Sequence, residues 1–172
     1  MRKITPYLTE EQINKRIKEM GREITEKFKD ESVYIVCILK GSVYFATELT
    51  KRIDLPLQID FMKVSSYGTA TKSSGVINVQ QDLSGNIEGK NVIIVEDIID
   101  TGNTLHRLVE LFKSRNPKTL SICTLLDKPE RREVEVNVDY VGFPIPDEFV
   151  VGYGLDLAEE YRNLPYIGII KE

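Results

Sequence analysis

The chain has 172 residues, 41% of them hydrophobic and 29% charged, with a formal net charge of −4. That length suffices for one domain with a sizeable core, and the composition excludes long disordered stretches. The acidic balance, with a sequence pI near 5.2, argues against a general nucleic-acid surface, yet local lysines and backbone N–H groups can still hold a small anion.

Met1-Arg2-Lys3-Ile4-Thr5-Pro6 lacks the apolar core of a signal peptide. The longest apolar run, Val33–Leu39, is far too short to span a membrane. The expected location is cytoplasmic, with no membrane contact. Cys37 and Cys123 both lie in apolar segments and read as buried free thiols. One histidine and two dispersed cysteines leave no Cys/His zinc set.

Thr9-Glu10-Glu11-Gln12 matches a capping box. Ile13, Ile17, Met20, Ile24 and Phe28 follow at helical spacing, which predicts an amphipathic helix. Residues 32–39 read as a buried strand, broken by Lys40-Gly41-Ser42, and a helical pattern resumes from Val43 to Ile53. Strands are predicted at 57–64 and 76–82, separated by the polar segment 65–75. A buried strand over 92–96, a helix over 103–114 and a strand over 119–126 follow. Beyond residue 127 come short β-like pieces at 139–143, 149–154 and 166–170, interleaved with proline and glycine. Strands alternating with helices predict an α/β fold, a mainly parallel twisted sheet flanked by helices. The tail is expected to form a small C-terminal hood over the carboxyl edge of that sheet. We expect a single domain over 1–172, with the sheet core at about 30–127. The hood comes from the C-terminal part, and the N-terminal segment is a candidate to join it.

The stretch VIIVEDIIDTGNTL, residues 92–105, concentrates the chemistry. Ligands of open α/β sheets bind beyond the carboxyl ends of the strands, where Glu96 and Asp97 are expected. Asp100-Thr101-Gly102-Asn103-Thr104 then turns into a helix, whose N-terminal N–H groups, with Gly102 and two threonine hydroxyls, form a phosphate cradle in principle. Asp and Thr are also ordinary N-cap residues, so a lone D-T-G-x-T would read as a cap. Two further acids directly upstream shift the balance, because crowded carboxylates are costly unless a cation or hydroxyl groups satisfy them. The segment lacks the glycine spacing and Lys-Ser/Thr of a Walker loop.

VIIVEDIIDTGNTL resembles the ribose-5-phosphate loop of type I phosphoribosyltransferases, in the Glu-Asp-Ile-Ile-Asp-Thr-Gly form of the hypoxanthine-guanine enzymes. LKGS (39–42) resembles their pyrophosphate loop and SSYG (65–68) the start of their mobile lid. LLDKP (125–129) and VGFPIPDEFVVGYGLD (141–156) resemble their purine pocket. The resemblance spans nearly the whole chain and is closest to the shorter bacterial members. It implies purine salvage, the transfer of the 5-phosphoribosyl group from phosphoribosyl pyrophosphate to hypoxanthine or guanine, with IMP or GMP and pyrophosphate as products and Mg2+ as cofactor.

The resemblance also implies roles. Glu96 and Asp97 would hold the ribose hydroxyls and help organise the magnesium shell. Asp100 is the implied general base, and Asp100, Thr101, Gly102, Asn103 and Thr104 would clasp the 5′-phosphate. Asn103 stands where some relatives carry lysine, so one phosphate-loop charge is absent. Lys40, Gly41 and Arg162 would take pyrophosphate, with a non-proline cis peptide expected between Leu39 and Lys40. Lys128 would donate to the purine 6-oxo group, Phe149 would stack on the ring, and the backbone at Val150 would meet its far edge. Asp156 would bind a second magnesium, and Ser66 and Tyr67 would close as a lid. Taken singly, Lys40-Gly41 reads as an exposed turn, Phe149 as core, and Asp156 and Arg162 as surface charges. His106 reads as structural. The implied partners are phosphoribosyl pyrophosphate and 6-oxopurine bases, with no nucleic acid, in a homodimer or homotetramer. Two alternatives stay open: a phosphoribosyltransferase for xanthine or a pyrimidine, and a related nucleotide-sensing RNA-binding regulator, which should show a basic face.

Overall fold

The computed structural model describes residues 3–66 and 77–171, and only the backbone of Ser66. Nine strands and three α-helices appear among these residues. The order is β1 (Ile4–Leu8), α1 (Glu10–Lys27), β2 (Val33–Leu39), α2 (Val43–Thr50), β3 (Leu57–Ser66), β4 (Ile77–Gln81), β5 (Asn91–Ile99), α3 (Asn103–Lys113), β6 (Thr119–Asp127), β7 (Tyr140–Pro144), β8 (Val150–Val151) and β9 (Ile167–Ile170). A 3-10 turn spans Pro129–Arg131.

The main sheet has six strands in the order β4-β3-β2-β5-β6-β7. All its pairings are parallel except that of β4 with β3. Parallel strands covered on both faces need side chains that are apolar on both sides, which explains the continuous runs in β2 and β5. Val33, Ile35, Cys37, Ile93 and Val95 pack on one face with Ile13, Ile17, Met20 and Ile24 of α1 and Phe45 and Leu49 of α2. Tyr34, Val36, Ile38, Val92 and Ile94 pack on the other with Leu105, Leu108 and Phe112 of α3. The capping box of α1 forms as the sequence indicates: Gln12 N donates to Thr9 Oγ1 at 3.2 Å, and Thr9 N donates to Gln12 Oε1 at 2.9 Å. Cys37 and Cys123 are both buried and free.

A second, antiparallel sheet has the order β1-β9-β8. Ile4 faces Ile170 and Thr5 faces Ile169 across one pairing, and Val150 faces Ile169 across the other. The segment around 140–144, which the sequence groups with the tail, instead pairs with β6 in the main sheet. Arg16 of α1 donates to Val141 O at 2.9 Å and so ties helix to strand at that edge. Among the described residues no helix is long and apolar enough to cross a membrane.

Candidate active site

β5 runs three residues past the Glu96 end read from the sequence, because Ile98 and Ile99 continue to pair with Leu126 and Asp127 of β6. Glu96 and Asp97 therefore sit inside the strand's last stretch. Burial, reinforced by the neighbouring Asp97 charge, raises the Glu96 pKa well above the usual carboxylate range. Burial likewise pushes Asp97 up to about 6, against the Ile98 N–H that donates to its Oδ1 at 2.8 Å and against the Arg162 charge. These are carboxylates held where a polar or cationic partner would be gained by binding.

Lys40 and Gly41 follow β2 at the same edge. The Leu39–Lys40 peptide is cis, as the resemblance implies. A Cβ at Gly41 would overlap the Asp97 carboxylate, so any side chain there would have to displace that carboxylate. A Cβ at Gly154 would overlap the Gly41 carbonyl, and Gly154 also has a φ of 102°. The loop after β8 is thereby laid backbone-to-backbone on the loop after β2.

Arg162 secures that apposition. Its Nη1 donates to Gly154 O at 2.7 Å, and its Nη2 lies 2.9 Å from Asp156 Oδ1 and 3.4 Å from Glu159 Oε1. Lys40 Nζ donates to Glu159 Oε2 at 2.8 Å. Lys40 and then Arg162 hold the Glu159 pKa below its ordinary value. Lys40, Gly41, Asp97, Asp156 and Arg162 thus form one cluster with Glu159, which the sequence reading did not single out. Ala158, Glu159 and Tyr161 all have positive φ, and this tight local turn, invisible in the letters DLAEEYR, brings Glu159 back onto Lys40.

The residues expected to form a phosphate loop gather at the start of α3. Glu96, Ile98, Ile99, Asp100, Thr101, Gly102, Thr104 and Leu105 line a cleft of about 140 Å³. Gly102 occupies the N-cap position with a φ of 84° and no side chain to cap the first turn. Helix N–H groups are thereby left for another acceptor. Thr101 Oγ1 accepts from Asn103 N at 3.3 Å, and Asn103 Nδ2 donates to Glu133 Oε2 at 2.6 Å.

Beyond β6 the second edge of the site is ionic. Lys128 is buried, its N–H donates to Ile99 O at 2.9 Å, and its Nζ lies 3.5 Å from Asp147 Oδ1. Arg131 Nε donates to Asp100 Oδ1 at 3.0 Å, and its Nη1 is 3.6 Å from Asp147 Oδ2. Arg132 donates to the Asp100 carbonyl at 2.9 Å and pairs with Asp127. A continuous Asp100–Arg131–Asp147–Lys128 chain therefore joins residues that the sequence singled out through two that it did not. The Arg131-Arg132 pair, one residue beyond LLDKP, was the available signal.

Phe149, core when taken alone, is 52% exposed, whereas Val150 beside it is buried. Phe149 O accepts from Ile170 N at 3.0 Å, which fixes the backbone behind the exposed ring. Of the expected lid, Ser66 ends β3 opposite Ile77, and Tyr67 lies outside the described residues. His106 is on α3, with Nε2 3.8 Å from Glu110 Oε1, in none of the contacts above.

Residues 4–158 match the phosphoribosyl transferase domain family. The chain is 52% identical over 164 residues to the bifunctional protein TilS/HprT of Listeria monocytogenes, a match covering 95% of this chain and 25% of that longer relative. It is 56% identical over 164 residues to the hypoxanthine-guanine phosphoribosyltransferase of Staphylococcus epidermidis, covering 95% of this chain and 92% of that one. A crystal structure of a hypoxanthine-guanine phosphoribosyltransferase from Bacillus anthracis superposes with a TM-score of 0.94 at 48% identity, covering 99% of this chain and 100% of that one. With the sheet, the acid-rich strand end and the Gly102-started helix all in place, the chain belongs to the phosphoribosyl transferase family, within its hypoxanthine-guanine phosphoribosyltransferase branch.

Proposed function

We propose that this protein transfers the 5-phosphoribosyl group from phosphoribosyl pyrophosphate to hypoxanthine or guanine, releasing pyrophosphate and forming IMP or GMP. The observation that carries this reading is the convergence, at one sheet edge, of a cationic cluster (Lys40, Arg162), half-buried acids (Glu96, Asp97), an uncapped helix start (Gly102) and the buried Lys128. Polyphosphate, ribose hydroxyls, 5′-phosphate and a carbonyl-bearing base each find the group that suits them. Near-identical length and 56% identity to the Staphylococcus epidermidis enzyme support the same substrates.

In this reading Asp100 accepts the proton from the purine imidazole nitrogen as that nitrogen attacks the ribosyl carbon. Lys128 donates to the 6-oxo group, Phe149 stacks on the ring, and the Val150 backbone meets the opposite edge. Glu96 and Asp97 accept from the ribose hydroxyls. Thr101, Gly102, Asn103 and Thr104 bind the 5′-phosphate mainly through N–H groups and hydroxyls, and Lys40, Gly41 and Arg162 hold the pyrophosphate. Ser66 and Tyr67 belong to a lid that keeps water from the electron-poor ribose.

The family chemistry calls for Mg2+. Among the described residues no group of three or more His, Cys, Asp or Glu side chains converges into a metal cage. The donor set fits an ion that keeps water and takes substrate oxygens, with a single carboxylate at a time from the protein. Asp156 would serve as such a ligand at the pyrophosphate end, and Glu96 and Asp97 at the ribose end. The ion would neutralise charge on the departing pyrophosphate.

The test mixes protein, Mg2+ and phosphoribosyl pyrophosphate with hypoxanthine, guanine, xanthine, adenine or uracil in turn, and assays for monophosphates. Hypoxanthine and guanine should react and adenine should not. Product from uracil alone would overturn the reading.

A further inference from the structure

The two cations read as pyrophosphate ligands are not idle in the free protein. Glu159 holds both: Oε2 accepts from Lys40 Nζ at 2.8 Å, and Oε1 lies 3.4 Å from Arg162 Nη2. No other described acid spans this pair. Asp156 meets Arg162 alone, and its second oxygen accepts from the Glu159 N–H at 2.8 Å. The carboxylate of Glu159 is delivered by backbone rather than by a packed side chain. Positive φ at Ala158, Glu159 and Tyr161, with the Leu157–Glu160 bridge, turns the chain so that an otherwise exposed residue reaches back over the site.

We propose that Glu159 is an internal stand-in for the leaving group. Its two carboxylate oxygens occupy the cations of the pyrophosphate subsite until a diphosphate displaces them, and return as the diphosphate departs. The inference rests on the reading of Lys40 and Arg162 as pyrophosphate ligands. Three features support it physically. A carboxylate and a diphosphate are both oxygen anions that compete for the same ammonium and guanidinium donors. The Lys40–Glu159 pair is largely solvent-exposed, at 51% and 64% of the two side chains, so it is weak enough to exchange. The Arg162 Nε is buried with no partner, so Asp156 and Glu159 leave this guanidinium incompletely matched and the resting contact is not an optimal one.

The device has a kinetic sense. Product pyrophosphate leaves the Lys40 and Arg162 donors slowly unless another anion takes its place on them. A tethered carboxylate shortens that residence without changing the reacting atoms, at the cost of a weaker resting affinity for the diphosphate group.

Calorimetric titration of inorganic pyrophosphate, with Mg2+ present and absent, tests this on the full chain. Glu159→Gln keeps the backbone N–H that Asp156 accepts and removes the competing charge. Its pyrophosphate dissociation constant should fall by roughly three- to tenfold, the scale set by two exposed ion pairs. The ratio to wild type should shrink as salt is raised, because the competition is between charges in water. Glu160→Gln, one residue along, is the control and should match wild type. Unchanged or weaker binding by Glu159→Gln overturns the proposal, weaker binding meaning that Glu159 orders Arg162 for the ligand. Wild type that binds neither pyrophosphate nor phosphoribosyl pyrophosphate overturns the site assignment itself, a result separable from the first.

Discussion

Asp97 has its pKa raised from an ordinary 3.8 to about 6, chiefly by burial. The folded protein therefore binds this proton more tightly than the unfolded chain does. The favourable contribution is complete below the unfolded value, is lost as pH rises from about 4 to about 6, and is gone above that. Its size is roughly 1–3 kcal/mol. Asp97→Asn should raise the melting temperature of the ligand-free protein at pH 8 and leave it unchanged near pH 4. A clear fall at pH 8 would make Asp97 a structural cap. Asp100→Asn should lower single-turnover transfer by roughly 10²- to 10⁴-fold while phosphoribosyl pyrophosphate affinity changes far less. Wild-type turnover in that variant removes the base assignment. Lys128→Ala should cost about 10- to 100-fold in kcat/KM on hypoxanthine and guanine, the loss of one charged hydrogen bond. Equal efficiency on hypoxanthine and intact rejection of adenine would return Lys128 to the class of structural lysines. At this scale the sequence revealed the residues whose types announce their chemistry, and missed those defined by approach. Nothing in the letters says that Gly41 lies against Asp97, or that Arg131 and Asp147 bridge Asp100 to Lys128.

Elements were legible where local signals sufficed. The α1 cap and stripe follow from Thr9, Gln12 and the isoleucine spacing, and the structure forms both. The end of β5 was not legible, because pairing with β6, a long-range contact, carries the strand through two acids to Ile99. A second long-range tie governs β3. Buried Asp60 accepts from Tyr34 Oη at 2.6 Å, Ser84 N at 2.8 Å and Gly85 N at 3.2 Å, so one carboxylate pins the turn after β4 to β2 and β3. Burial works to raise its pKa, but the hydrogen bonds, led by that of Tyr34, outweigh it and the pKa is lowered. Asp60→Ala should cost about 2–4 kcal/mol of stability by urea unfolding, since the buried Tyr34 hydroxyl and two part-buried backbone N–H groups lose their acceptor together. A loss below about 0.5 kcal/mol, the scale of an ordinary surface change, would show that water replaces the carboxylate there.

The whole molecule is a parallel sheet clad on both faces, with a separate antiparallel sheet joining its edge loops. The sequence conveyed the alternation of strands and helices but not which strand belongs to which sheet. Short pieces such as 139–143 and 166–170 look alike in composition, and only partners distinguish β7 from β9. The two sheets should differ in local stability. β5 is paired on both sides and buried on both faces, whereas β8 contributes two residues to a three-stranded sheet. Native-state hydrogen exchange should show amides of β1, β8 and β9 opening together and faster than those at the centre of β5. Equal protection in both sheets would show one cooperative unit.

β1 and β9 come from opposite ends of the sequence yet lie side by side, and this gives the protein a timetable. During synthesis β1 is made before every other described element and waits with an open edge for β9. The acids of β5, the turn at Asp100–Thr104 and Lys128 can all be in place before β9 exists. The carbonyl of Phe149 has no Ile170 N–H to hold it until then. A chain cut short before β9 by a stalled ribosome would thus carry the part of the site proposed to bind phosphate while the backbone behind the Phe149 ring stays unfixed. Assembly order, written into the pairing of two short strands, leaves the backbone behind Phe149 without its partner until β9, the last of the described strands, has been made.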